Sequence, residues 1–151
     1  MEIEAHTAIP PIQLVTCSFA GCRPLAVSPA PLYLALHLRS ANLCAIRPLP
    51  YLAKDALEGL IEKEKASQAF TELPDFFFEH AYIFMDGSIE SSVCELKQIR
   101  QDKIWRGLRD MDGKALYING LTRWEFNEMK GVITEAMRLG KVVDSKKELV
   151  M

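Results

Sequence analysis

The sequence lacks the residue patterns on which most enzymes and metalloproteins depend. Its four cysteines include no Cys-x-x-Cys pair, and only three histidines are scattered along the chain. Zinc sites and disulfide frameworks usually show closely spaced or regularly paired ligands, so we expect neither here. The phosphate-binding glycine-rich loops and the Gly-x-Ser-x-Gly and His-Glu-x-x-His frames are also absent. The sequence therefore predicts no catalytic site, no metal and no cofactor.

An excess of basic charge and long apolar runs are missing as well. Lys and Arg number 18 against 20 Asp and Glu, for a formal net charge of -2. Strong binding to nucleic acid requires a basic surface, so we expect any contact with DNA to be indirect. The longest apolar runs fall well short of the ~18 residues of a membrane span. The N-terminus also lacks a signal-peptide pattern, which predicts a soluble intracellular protein without membrane contact.

The composition that is present predicts a folded chain in two parts. Hydrophobic residues make up 49% of the 151 residues, too many for a disordered protein. Up to Pro50 the chain is rich in proline and poor in charge, and beyond it charged amphipathic stretches dominate. We therefore predict a domain boundary there, with a small domain over 1–50 and a larger one over 51–151.

The first part predicts a small β-rich α+β domain. Its prolines exclude long regular elements. Alternating and β-branched residues predict strands at Ile12–Phe19, Pro24–Val27 and Leu43–Arg47. Pro31 is placed to begin a short apolar helix over Leu32–Arg39. Ala20-Gly21 is the expected turn between the first two strands.

The second part predicts a mainly α fold, a bundle of four helices. Apolar periodicity places these helices over residues 52–65, 74–85, 88–111 and 123–139. Ser88 is the expected cap of the third helix, and Gly140 the expected end of the fourth. Asn119-Gly120 is typical of a hairpin turn, but the capping box Thr122-Arg123-Trp124-Glu125 favours a helix start at this point.

Two of these helices carry unusual surfaces. The segment Pro74–Met85 is apolar nearly all round, so it is either the central helix of the bundle or covered in part by another chain. Its Glu79 and His80 are adjacent and point about 100° apart on a helix, which favours an ordinary, partly buried histidine over an acid/base pair. The next helix carries a basic residue at every third position, from Lys97 to Arg109. A three-residue step spirals around the helix, which favours a solvated or partner-facing surface over a DNA-binding face.

The order and spacing of several segments resemble the second Psf subunit of the eukaryotic GINS replication complex. These segments are Thr7–Pro10, Pro31–Leu36, Cys44–Pro50, Leu57–Lys65, Phe70–Pro74, Ile99–Lys103 and Leu121–Asn127. The resemblance implies a β-rich B domain followed by a helical A domain. It also implies a nuclear, non-catalytic scaffold that forms a heterotetramer with three sister subunits. That assembly would join the MCM helicase ring and the Cdc forty-five protein in the replicative helicase.

For such a subunit we expect aromatic and arginine side chains to supply partner contacts, because these residue types dominate interface energies. The predicted interface residues are Phe76, Phe77, Tyr82, Arg100, Trp105, Arg106, Trp124 and Phe126. Two alternatives remain at this point. One is a small helical ligand-binding domain that acts as a monomer and lines a pocket with its aromatic helix. The other is a direct DNA-binding module, against which the acidic charge balance argues.

Overall fold

The computed structural model describes residues 1–109 and 119–148, with side chains up to residue 140. It divides the chain into two compact units, Met1–Leu49 and a second one that begins at Pro50. Within the described ranges the first unit combines short antiparallel strands with one helix, and the second is helical. This confirms the predicted class, a mainly α chain with a small α+β part at its N-terminus.

A three-stranded antiparallel sheet forms the centre of the first unit. Strand β1 (Glu2–Ala5) lies in the middle, between β4 (Val27–Pro29) and β5 (Cys44–Ile46). Ile3 and Ala5 of β1 are fully buried, whereas Glu2 and Glu4, which alternate with them, are not. Strand β1 was not predicted, because Glu and Ala have low strand propensity and the segment is only four residues long.

The predicted strand over Ile12–Phe19 is wrong, because the segment folds back on itself. It forms two short strands, β2 (Ile12–Gln13) and β3 (Ser18–Phe19), that pair with each other. The amide of Leu14 donates to the carbonyl of Cys17 at 2.9 Å and closes the turn between them. The next predicted strand is also displaced, from Pro24–Val27 to the observed β4.

The predicted turn at Ala20-Gly21 is wrong, since the described turn lies at Pro24-Leu25, but Gly21 still requires glycine. It has a φ of +84°, and a Cβ atom there would lie 2.7 Å from the carbonyl oxygen of Ile9. Helix α1 (Leu32–Ser40) begins directly after Pro31, and its Leu34, Ala35 and Leu38 are buried. These side chains and the inward residues of the sheet form one apolar core.

Four helices make up the described part of the second unit, and each corresponds to a predicted one. They are α2 (Lys54–Ala66), α3 (Phe77–Phe84), α4 (Glu90–Arg109) and α5 (Arg123–Glu148), with a single 3-10 turn at Pro50–Leu52 before α2. Over the residues that the structure describes, no helix combines the length and apolarity that crossing a membrane requires.

Three predicted helix boundaries are wrong. Helix α3 begins at Phe77 and not at Pro74. Asp86, not Ser88, caps α4, because its Oδ1 accepts from the amides of Ser88 at 3.0 Å and Ile89 at 3.3 Å. The hydroxyl of Ser88, which also donates to this oxygen, and then the two amides lower the pKa of Asp86. Helix α5 continues through Gly140 to Glu148, since a glycine inside a helix costs only about 1 kcal/mol and does not by itself end it. Most of the segment predicted as a loop between Met111 and Leu121 lies outside the described residues.

The capping box at the start of α5 is confirmed. The amide of Glu125 donates to Oγ1 of Thr122 at 3.3 Å, and the amide of Thr122 donates to Oε2 of Glu125 at 2.9 Å. Two backbone donors at the helix start are therefore satisfied reciprocally. This fixes where α5 begins, and it also places the side chain of Glu125 in the interior, where it is only 2% exposed.

Candidate partner interface

Helix α3 divides its aromatic side chains between the interior and the surface. Phe77, Phe78 and Ala81 are fully buried, whereas Tyr82 and Ile83 are 43% and 39% exposed. The ring of Phe77 meets that of Phe78 edge-on, with centroids 5.2 Å apart. One side of this apolar helix therefore belongs to the core, and the other presents apolar area to solvent; cover by another chain stays a prediction.

Phe76 stands immediately before α3 in a backbone conformation that is rare for a bulky residue. Its φ of +58° lies in the left-handed region, and its side chain is 55% exposed. The ring lies 6.2 Å from that of His80, centroid to centroid. Phe76 thus begins the helix at a cost in backbone strain while its ring remains on the surface.

His80 is half-buried and has an aromatic neighbour on each side. Its Nδ1 lies 2.7 Å from the hydroxyl of Tyr51, close enough for a hydrogen bond. Burial raises the pKa of the Tyr51 hydroxyl. The prediction of an ordinary, partly buried histidine is confirmed, and Glu79 makes no ion pair with it.

Trp124 connects the first turn of α5 with α3 and α4. Its ring lies 5.2 Å from that of Phe78 and 5.6 Å from that of Tyr82, and Nζ of Lys97 lies 4.4 Å from its centroid. Lys97 also donates to Glu128 at 3.0 Å. Burial lowers the pKa of Lys97, but the contacts with Glu128 and Tyr82 outweigh it and leave the pKa raised. The exposed Tyr82 therefore rests on an ordered aromatic and ionic support.

Helix α4 presents an uncharged outer face that ends in an exposed tryptophan. Cys94, Gln98, Gln101 and Trp105 follow one another at spacings of four, three and four residues, which places them on one side of a helix. Trp105 is 48% exposed. A large aromatic side chain on a neutral helix face is typical of protein interfaces rather than of solvated surfaces.

Arg100, in contrast, is fully buried inside the unit. Its guanidinium donates to Glu125 and Glu64 and to the backbone carbonyls of Thr71 at 2.9 Å and Gly120 at 2.8 Å. Every buried side-chain nitrogen and oxygen in the described residues has a hydrogen-bond partner. Arg100 is therefore a structural residue of the core.

Glu64 occupies the opposite side of this buried cluster. Nζ of Lys103 donates to Glu64 Oε1 at 2.6 Å, and the amide of Thr71 donates to its Oε2 at 2.9 Å. Burial by itself raises the pKa of Glu64, but the hydrogen bonds from Lys103 and Thr71 and the charge of Arg100 outweigh it and hold the pKa below its ordinary value.

The eight predicted interface residues therefore fall into two groups. Phe77 and Arg100 are fully buried within the unit and are withdrawn as contact residues, because neither can reach a partner while this fold is intact. Five of the others are on the surface of α3, α4 and α5 or next to α3, and the sixth, Trp124, is half-buried. The exposed ones are Phe76, Tyr82, Trp105, Arg106 and Phe126. The structure brings Tyr82 and Trp124 into contact and places Trp105 on a separate helix face.

The expectation that the basic residues of α4 are solvated is wrong for Arg100 and Lys103. The overlooked signal is positional, because Arg100 continues the apolar stripe formed by Val93, Leu96 and Ile104, all of which are buried. Glu64 likewise follows Leu57 and Ile61 at helical spacing on α2. A charged residue at a core position of an amphipathic helix indicates a buried ion pair, and here Arg100 and Glu64 form one.

The described part of the chain holds no cluster of His, Cys, Asp or Glu that could ligate a metal ion. Cys22 and Cys44 are buried, Cys17 and Cys94 are exposed, and all four are free thiols. Burial, with a smaller effect of the nearby Cys22, raises the pKa of the Cys44 thiol. Two aromatic side chains, Tyr82 and Trp105, are thus exposed on the helical unit. In its interior the charged groups of Arg100, Glu64 and Glu125 all have hydrogen-bond partners among the described residues.

Known proteins that are similar to this chain carry the same name. The chain is 34% identical to the probable DNA replication complex GINS protein PSF2 of Encephalitozoon cuniculi, over 95% of this chain and 87% of that protein. It is 26% identical to the DNA replication complex GINS protein psf2 of Schizosaccharomyces pombe, over 91% of this chain and 80% of that protein. It is also 26% identical to the protein of the same name from Candida albicans, over 86% and 70%. No family model matches the chain.

Proposed function

The chain belongs to the PSF2 family of DNA replication complex GINS proteins, and on that premise we propose that it is a non-catalytic scaffold subunit of a GINS heterotetramer. Three sister subunits are its direct partners. The assembly joins the MCM helicase ring to the Cdc forty-five protein in the nucleus. This subunit itself contacts DNA only indirectly. The observation that carries the proposal is the 34% identity to a GINS protein along 95% of the chain.

The two units of the fold support the two-domain arrangement that we propose. Residues 1–50 correspond to the B-type domain and residues 51–151 to the A-type domain, close to the boundary between Leu49 and Pro50. A unit of about 50 residues buries a smaller share of its surface than a larger domain and is marginal alone. Attachment to other subunits would supply the burial that it lacks.

The surface of the helical unit supports a docking role rather than a chemical one. Tyr82 and Trp105 expose aromatic rings on separate helix faces, and both are held on ordered helices. Removing such rings from water stabilises a complex by roughly 1.5 to 3 kcal/mol each when burial is complete. We propose that Phe76, Tyr82, Trp105, Arg106, Trp124 and Phe126 include the contacts with sister subunits.

Absolute mass measurement tests this assignment. We would purify the chain alone and co-expressed with three candidate sister subunits, and measure each mass by light scattering coupled to size-exclusion chromatography. The expected result is a complex with one copy of each subunit and a lone chain that aggregates. The proposal would be overturned by a stable monomer that does not bind these partners. A melting temperature that rises with small ligands would then favour a ligand-binding domain.

A further inference from the structure

A groove in the helical unit lies apart from the aromatic faces of Tyr82 and Trp105. One of its sides is formed by residues 72–76 with Glu79 of α3, and the other by residues 120–123 at the start of α5. Its volume is about 330 Å³, at the lower end of the range of ligand pockets. A groove of this size admits a few side chains of an extended segment, and it is too small for a folded partner.

The charge of the groove is predominantly negative. Glu72, Asp75 and Glu79 line it against one cation, Arg123. Among the described residues, none of these three carboxylates takes part in an ion pair. Unpaired carboxylates along a concave wall attract a cationic partner and repel nucleic acid.

The groove also offers an apolar contact at one end. Leu73, Pro74 and Leu121 contribute apolar surface, and Phe76 exposes 55% of its side chain there. Phe76 has its backbone in the left-handed region, with a φ of +58°. An occupant that carries an apolar side chain between basic ones would match both parts of the lining.

The two sides of the groove are held in place from behind by one side chain. Nη1 of Arg100 donates to the carbonyl of Thr71, one residue before the first side, and Nη2 donates to the carbonyl of Gly120, the first residue of the second. Gly120 also lies close to Phe70, since a Cβ atom at Gly120 would be 3.1 Å from its Cβ. The groove is therefore preformed, which reduces the ordering cost of binding.

From these observations we infer that the groove binds an extended, basic peptide segment of a partner protein, with its Lys or Arg side chains on Glu72, Asp75 and Glu79 and an apolar side chain on Phe76. Of the residues proposed to contact sister subunits, Phe76 alone lines this groove, and the three carboxylates are not among them. The inference depends on local geometry and charge, so it does not require the proposed tetramer to exist.

A labelled peptide provides the test. The probe is fluorescein-labelled Gly-Arg-Lys-Leu-Lys-Arg-Gly, and its control carries Glu in place of every Lys and Arg. Binding is measured by fluorescence polarisation on the full chain in the form in which it purifies, assembled or alone, so that failure of assembly leaves the test intact. We expect binding of the basic peptide only, with an affinity that falls as salt rises.

Two variants and one matched control locate the binding. Glu72→Lys should weaken binding about tenfold, because it replaces an attraction by a repulsion. Glu62→Lys makes the same charge change at an exposed position of α2 outside the groove and should alter affinity less than about twofold. Phe76→Gly should weaken binding without lowering the melting temperature, since glycine relieves the strained φ.

Three outcomes would overturn the inference. The first is equal binding of the basic and acidic peptides, and the second is wild-type affinity in both Glu72→Lys and Phe76→Gly. The third is an equal loss in Glu62→Lys and Glu72→Lys, which would assign the effect to net charge instead of the groove.

Discussion

Arg100 and Glu125 form a two-point ion pair in the interior of the helical unit. Nε of Arg100 lies 2.6 Å from Oε1 of Glu125, and Nη2 lies 3.0 Å from Oε2. Glu125 also accepts from Thr122 at the start of α5. One carboxylate thus joins the middle of α4 to the first turn of α5, and the same guanidinium reaches Glu64 on α2.

Replacing Arg100 should unfold the helical unit much more easily. Arg100→Leu leaves Glu125 and Glu64 buried without their shared partner, and losing one member of a buried ion pair costs about 3–5 kcal/mol. The free energy of unfolding in urea measures the loss. Arg106→Leu, at an exposed position of the same helix, should change it by less than about 0.5 kcal/mol. A loss below about 1 kcal/mol in Arg100→Leu would contradict the structural role.

Acidification should destabilise the protein through Glu64. Its pKa is held below the ordinary value of 4.5, so near and below that pH the unfolded chain binds a proton more readily than the folded one. The stability from Glu64 is therefore present above pH 4.5 and lost as the pH falls through the folded-state pKa. Unfolding free energies measured from neutral to acidic pH should show a shallower decline in Glu64→Gln. The exposed control Glu62→Gln should keep the wild-type slope, and identical slopes in all three proteins would refute the assignment.

The capping box predicts a moderate effect at Thr122. Thr122→Ala removes the oxygen that accepts from the amide of Glu125 and should cost about 1 kcal/mol. Thr134→Ala is the matched control, because Thr134 lies exposed inside α5, where alanine is a better helix former. The melting temperature of Thr134→Ala should be higher than that of Thr122→Ala. The reverse order would show that the cap contributes little to stability.

Two glycines should respond to alanine with opposite signs. Gly120 has a φ of +81° and little room beside Phe70, so Gly120→Ala should destabilise by about 1–2 kcal/mol. Gly107 lies inside α4 with open space around it, so Gly107→Ala should stabilise by about 0.5–1 kcal/mol. Chemical denaturation of both variants measures the change in the free energy of unfolding. A change of the same sign in both would contradict the backbone conformations of these two glycines.

Tryptophan and phenylalanine variants separate docking from folding. Trp105→Ala should keep the urea midpoint near that of the wild type while co-purification with sister subunits falls, because the exposed ring is proposed to contact a partner. Phe77→Ala should instead lose about 3–5 kcal/mol of stability, since its ring is fully buried. Unchanged co-purification of Trp105→Ala and of a second variant, Tyr82→Ala, would argue against these interface residues.

Much of the helical unit could be read from the sequence, because helices are specified by local spacing. The apolar stripe of α2 and the capping box of α5 lie within a few neighbouring residues, and both were predicted. The short strands were harder to predict. Two-residue strands such as β2 and β3 carry too few side chains to show alternation, and β1 is a strand only because β4 and β5 pair with it.

The amino-acid sequence alone was enough to assign the family, the helices and the aromatic and basic side chains available for contacts. Which of these side chains face inward depends on how the helices pack. Arg100 is buried because Glu125 and Glu64, 25 and 36 residues away in the chain, converge on it and compensate its desolvation. Phe77 and Phe76 are neighbours, yet one is in the core and the other on the surface, because α3 begins between them. The place of Arg100 in the apolar stripe of α4 indicates its burial, but no local pattern indicates which distant carboxylates pair with it.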